Sequence, residues 1–257
     1  MNKKLFKFIL LCTFFLFSCE NKKPSKKNKP ENPNPGVVIS FDDTSINEWY
    51  EADKILRQYY WKATFCVSKI NTLNHSEITK LLELQNQGHE IAGHSFNHFD
   101  APKFVSKNGV DAYIKQEINP MLALMDFYSF KTTSFAYPFG FRNLDIDVAL
   151  LKRFKIVRAT TYGAEDPFFK NCYFNNSKLV FAIGIDTDHP NFSIPYLIKL
   201  LDYAKRKHKI LILFGHKPVL KVTGNYQTKI ETLKLICNYV KQHNMTFYTL
   251  SELNNLK

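Results

Sequence analysis

Apolar and polar positions along the chain fall into short continuous apolar runs alternating with longer amphipathic stretches. Val37–Asp43 (V-V-I-S-F-D-D) reads as a β-rich run. Glu48–Tyr60 carries Trp49, Ala52, Ile55, Leu56, Tyr59 and Tyr60 at helical spacing. Ala63–Ser68 is a short β run. Ser76–Gln87 is a helix with Ile78, Leu81, Leu82 and Gln85 on one side, stopped by Gly88. Further strands are predicted at His89–His94, Thr132–Tyr137, Ile156–Thr161, Leu179–Asp186, Lys209–Phe214 and Met245–Leu250. Helices are predicted at Asp111–Phe127, Asp145–Arg153, Pro195–Lys207 and Thr228–Gln242, the first to be kinked or broken at Pro120. Strand and helix thus alternate about seven times. Continuous apolar strands between helices indicate a parallel α/β sheet, for which a closed barrel and an open doubly wound sheet both fit.

The composition suits one globular domain. Of 257 residues 45% are apolar and 23% charged, and five Cys are too few for a disulfide scaffold. The formal charge of +12 is unevenly spread. Residues 1–36 hold eight Lys and two acids, while the remaining 221 residues hold 27 bases and 21 acids. Half the excess therefore lies outside the α/β region, which argues against a nucleic-acid partner.

Lys3, Lys4 and Lys7 precede an apolar run from Phe8 to Phe17, the layout of a signal peptide over residues 1–18. Leu16-Phe17-Ser18-Cys19 resembles the lipobox of bacterial lipoproteins. That resemblance implies cleavage before Cys19, lipids on its sulfur and new amino group, and an exported, membrane-anchored protein. An ordinary secretory signal is the alternative. Residues 19–36, rich in Lys, Asn and Pro, read as a tether too polar to bury a core, and residues 37–257 as the folded domain. Cys66 and Cys237 sit in apolar patterns and read as small core residues.

Unusual polar clusters stand where β runs stop: Asp42-Asp43, His94 with His98, Tyr137-Pro138-Phe139-Gly140, Asp186 with Asp188, and His216. In parallel α/β folds the C-terminal strand ends form the active-site rim. Adjacent strand residues point to opposite faces, so one carboxylate of Asp42-Asp43 can bind a metal while the other stays free as a base. His94 and His98, four apart, reach one ion if they share a helical turn, and a strand-end Asp supplies a third ligand. His216 ends K-I-L-I-L-F-G-H, where a general acid beside such a site would stand.

S-F-D-D, H-S-F-N-H, A-Y-P-F-G and L-F-G-H-K, in that order, resemble the polysaccharide deacetylases, the NodB-like carbohydrate esterase family four. The resemblance implies a distorted parallel (β/α) barrel of about seven strands. It implies removal of acetyl groups from an N-acetylated, less often O-acetylated, polysaccharide. By it Asp42 is the general base, and Asp43, His94 and His98 hold a divalent metal, most often zinc, with cobalt, nickel or iron as alternatives. His216 is the general acid, the Tyr137 backbone N–H beside Pro138 serves the oxyanion, and Asp186 matches the residue that orients the catalytic His. The sequence departs from the pattern in two places. Ala136 stands where the third motif has an Arg, and Arg158 and Arg142 are the candidate replacements. The Trp of the fourth motif is absent, with His189 nearby. Two other readings are a lipid-anchored carbohydrate-binding module and a small-amide hydrolase on the same fold.

Overall fold

The computed structural model describes residues 33–256. In the first strand, β1 (Gly36–Asp43), Val38 points into a barrel, with Ser40 and Asp42 in phase with it. Val37, Ile39 and Phe41 point outward into the main core. There follow α1 (Ile46–Leu56), β2 (Thr64–Val67), α2 (His75–Asn86), β3 (Glu90–Gly93), α3 (Ala101–Asn108), α4 (Val110–Tyr113) and α5 (Asn119–Phe127). The chain continues through β4 (Ser134–Ala136), α6 (Leu144–Leu151), β5 (Ile156–Thr161), β6 (Leu179–Gly184), α7 (Ile194–Arg206) and β7 (Ile210–Gly215). It ends in two short strands, β8 (Lys217–Val219) and β9 (Gln227–Lys229), then α8 (Ile230–Gln242) and β10 (Thr246–Tyr248).

Strands β1 to β7 run parallel in sequence order, and β7 pairs back onto β1 over Gly36–Phe41. The seven strands thus close into a (β/α) barrel, which decides between the two architectures left open by the periodicity. The last strand does not close it. β10 lies against Gly36–Val38, on the side of β1 that β2 joins only from Ser40 onward. Between β6 and β7 closure needs a patch: Cys172–Phe174 runs antiparallel along the start of β7, with Phe174 N–H bonded to Ile210 O. Cys66, Cys172 and Cys237 are free and buried.

Small side chains (Cys66, Ala92, Ala136 and Ala182) line part of the barrel interior and leave room there for one long polar residue, Arg158. The outer core stacks Phe41, Trp49 and Phe65 between barrel and helices.

Three differences from the expected elements matter for the site. Helix α3 is an addition. Asp100 caps it by accepting from Lys103 N–H, Pro102 sits in its first turn, and Gly109 ends it at a φ of 83°. The single helix expected over 111–127 is α4 and α5 joined by a π-helical turn, Ile114–Ile118. Pro120 cannot donate to the turn before it, and the wider register absorbs the missing bond without ending the helix. The fold also begins before Val37: Asn34 O accepts from Tyr248 Oη and Pro35 O from Thr246 N–H, so the end of the expected tether belongs to the barrel.

Candidate active site

Asp42 and Asp43 end β1 with opposite fates. Asp42 continues the inward phase and is 3% exposed. Asp43 turns out of the strand with a φ of 83°, and its side chain is 42% exposed. Ser95, His98 and Phe139 also carry positive φ (65°, 64° and 58°). With Tyr226 (φ 55°), five non-glycine residues in the left-handed region lie at or beside one cavity, backbone strain held at a site.

His94 leaves β3 with its Nδ1 at 2.9 Å from Ala136 O. Donation there places the neutral ring's lone pair on Nε2. That Nε2 lies 3.6 Å from an Asp43 carboxylate oxygen and 3.2 Å from His98 Nε2, and His98 Nε2 lies 3.1 Å from the same oxygen. Two donors each about 2.1 Å from one ion stand about 3.0 Å apart in octahedral and about 3.4 Å apart in tetrahedral geometry. The three donor atoms therefore fit a single divalent ion, and they form the one such group among the described residues. The His pair is not brought together by a helical turn as expected. Residues 94–98 form a loop, held by Ser95 Oγ accepting from His98 N–H at 3.0 Å. Buried Glu117, on the π-helical turn, accepts from Asn97 N–H at 2.8 Å and from its side-chain amide at 2.6 Å.

Across the cavity, His216 Nδ1 meets Asp186 Oδ2 at 2.5 Å, and Asp186 Oδ1 accepts from His216 N–H and from Thr228 Oγ1. Trp49 Nε1 donates to His216 O at 2.7 Å. Burial opposes a charge on the His216 ring, but Asp186 and the nearby Asp42 outweigh it and hold its pKa above the ordinary value. Asp42 is held below the usual carboxylate range. Burial pushes it up, and the Arg158 charge, with those of His94 and His216, more than reverses this. Asp43 is likewise lowered against burial, through hydrogen bonds with His94 and His98.

The cavity has a volume of about 460 Å³ and holds both acids, both loop histidines and His216 between exposed Phe139, Phe141, Tyr162 and Tyr226. The sequence profile of the polysaccharide deacetylase family matches residues 29–157, half of the chain. The chain belongs to that family. Similar solved structures include the peptidoglycan deacetylase PdaC of Bacillus subtilis, at 17% identity and a TM-score of 0.54 over 89% of this chain and 93% of that one. A CE4 esterase of Streptococcus mutans matches at 17% identity and 0.56, covering 85% and 87%. The chitin deacetylase of the fungal pathogen Colletotrichum lindemuthianum matches at 14% and 0.53, covering 86% and 88%. These likenesses show a shared fold. No curated protein matches the chain significantly.

Within this polysaccharide deacetylase barrel the expected residues divide. Asp42, Asp43, His94, His98, Asp186 and His216 converge on the cavity. Arg158, fully buried, places Nη2 on both Asp42 oxygens and its guanidinium over the Phe214 ring at 5.1 Å. Arg142 goes elsewhere, pairing with Asp147. Tyr137 is a correction: its N–H is spent on Arg158 O at 2.9 Å, and its buried hydroxyl donates to Asp147. It offers nothing to the cavity. Pro138 opens the turn that carries Phe139 and Gly140 to the cavity wall. Asp188 accepts from Tyr226 N–H at 3.0 Å and so holds the loop before β9. His189 packs over Gly184, where a Cβ would meet its ring at 2.1 Å, and stacks on Tyr162.

Glu117, Thr228 and the indole N–H of Trp49 were not legible as site residues. Glu117 alone had a signal, as an acid between Ile114 and Ile118 in an apolar helical stretch.

Proposed function

We propose that the protein is a metal-dependent hydrolase that removes acetyl groups from an N-acetylated polysaccharide. One observation carries this: a buried, cation-paired carboxylate and a carboxylate-paired imidazole line one cavity together with three donors spaced to hold one divalent ion. Asp43, His94 and His98 would hold the ion. A divalent cation supplies Lewis acidity toward an amide carbonyl and toward water.

The chain's own residues supply the proton chemistry. Asp42, anionic and fixed by Arg158, takes a proton from the attacking water. Asp186 favours the protonated form of His216, which gives its proton to the departing amine, a poor leaving group as an anion. The Phe139 N–H lies in the first turn of Pro138–Gly140, where amides have no partner within the turn, and is the donor available to an oxyanion in place of Tyr137. Exposed Phe139, Phe141, Tyr162 and Tyr226 offer flat faces to the apolar sides of sugar rings, which favours a polymer over a small amide. A module that only bound sugar would have no use for the Asp42–Arg158 and Asp186–His216 pairs.

Export and lipid attachment at Cys19 complete the proposal. The signal, the lipidated Cys and most of the tether lie outside the described residues, and they rest on the K-K-L-F-K start and the L-F-S-C run. The deciding experiment is acetate release from chitooligomers, peptidoglycan, poly-N-acetylglucosamine and acetylxylan, with and without added zinc, cobalt, nickel or iron. Release from none of these under any metal would overturn the reading.

A further inference from the structure

Because the barrel strands are all parallel, every connection leading into a strand lies at the end opposite the active-site rim. Four neighbouring segments there, 152–155, 175–178, 205–209 and 241–245, the last two beginning in the final turns of α7 and α8, lead into β5, β6, β7 and β10. Together they contain nine Lys or Arg (Lys152, Arg153, Lys155, Lys178, Lys205, Arg206, Lys207, Lys209, Lys241) and no Asp or Glu. All nine are exposed, and none forms a salt bridge among the described residues. The connections abut. Val157 N–H bonds Lys178 O, and Lys205 Nζ lies 3.1 Å from His243 Nδ1.

The chain enters the fold on this same face. Gly36 N–H donates to Lys209 O at 3.1 Å, and Gly36 is the register partner of both Ile210 and Thr246. The rim at the other end carries Asp42, Asp43, Asp186 and Asp188. These unpaired basic groups are thus gathered where the chain enters, at the end opposite the cavity, whose carboxylates Asp42, Asp43 and Asp186 all have cationic or imidazole partners. The eight residues of β1 set the two ends up to about 26 Å apart.

We infer that the basic face docks on an anionic phospholipid bilayer and turns the cavity away from it. The charge complementarity is direct, since each Lys or Arg near an anionic leaflet adds to binding and the interaction fades within a Debye length. The lipid anchor would hold the chain to the bilayer, and a basic face would set which way the domain turns on it. This orientation rests on the lipid-anchor reading; the affinity of the face does not.

The test uses the mature-length chain, residues 19–257, with Cys19→Ser, sedimented with phosphatidylcholine–phosphatidylglycerol vesicles and with pure phosphatidylcholine. The expected result is binding to the mixed vesicles only, lost in high salt. Lys205→Glu, Lys207→Glu, Lys209→Glu and Lys241→Glu together should weaken it about tenfold or more. Acetate release from a soluble oligomer should stay unchanged, which shows that the variant is folded. Binding that is equal on neutral vesicles, or that follows Lys22, Lys23, Lys26, Lys27 and Lys29 while ignoring the face, would overturn the inference. Membrane retention of the wild-type chain in high salt reads the anchor separately, so either can fail without the other.

Discussion

Ala136 on β4 and Arg158 on β5 are direct register partners, and the guanidinium that binds Asp42 comes from the second of them. Both side chains point into the barrel, where the small residue on one strand leaves room for the long one on the next. A cation expected from one strand can therefore reach the same carboxylate from its neighbour.

Removing that cation should damage both stability and turnover. Arg158→Ala leaves Asp42 buried and unpaired, which costs about 3–5 kcal/mol for a broken buried pair. The double variant Ala136→Arg, Arg158→Ala should recover part of the melting temperature and part of kcat, because the pair can re-form from β4. Losses that simply add in the double-mutant cycle would show that the two positions do not share this task.

Asp42→Asn should abolish deacetylation while metal content stays that of the wild type. The amide keeps the shape but cannot accept a proton, and a general base contributes about 10²–10⁴-fold. Acetate release and metal analysis on the same preparation check this. Near-normal activity would place the base elsewhere.

His98→Ala should lose the ion, since two donors remain of the three that converge within 3.6 Å. Metal analysis of the purified variant against wild type gives the answer, and equal content in both would remove Asp43, His94 and His98 as the ligand set.

Asp186→Asn should move the alkaline limb of the rate profile to lower pH. His216 is held above its ordinary value by Asp186, against burial, and the acid works only while protonated. The same pair stabilises the fold below the unfolded His value of about 6.5, and that contribution fades as pH rises through the raised native value. In the variant, melting temperature should depend less on pH over that window. An unmoved alkaline limb would assign it to another group.

Cys19→Ser should release the protein from membranes washed in high salt, because lipid attaches at that Cys and the basic face alone is displaced by salt. Retention of the variant after that wash, with no lipid on the wild-type Cys, would leave an ordinary secretory signal as the explanation of the N-terminus.

The sequence by itself determined the alternation of strand and helix, since apolar runs and helical spacing are local properties of the chain. It also placed Asp42, Asp43, His94, His98, Asp186 and His216 together, because in a parallel sheet every strand end faces the same rim. Tertiary structure decided what depends on neighbours in space. Closure of β7 onto β1 is a pairing of residues more than 170 positions apart, with no trace in either strand's own pattern. The Arg158–Asp42 pair depends on barrel register, and nothing in A-Y-P-F-G says which strand fills the space at Ala136. Tyr137 lost its expected part because β4 and β5 claim its N–H for the sheet, a bond visible only once the two strands lie side by side. The loop at 94–98 is held by Glu117, twenty residues from Asn97, through a π-helical turn that hydrophobic spacing does not encode.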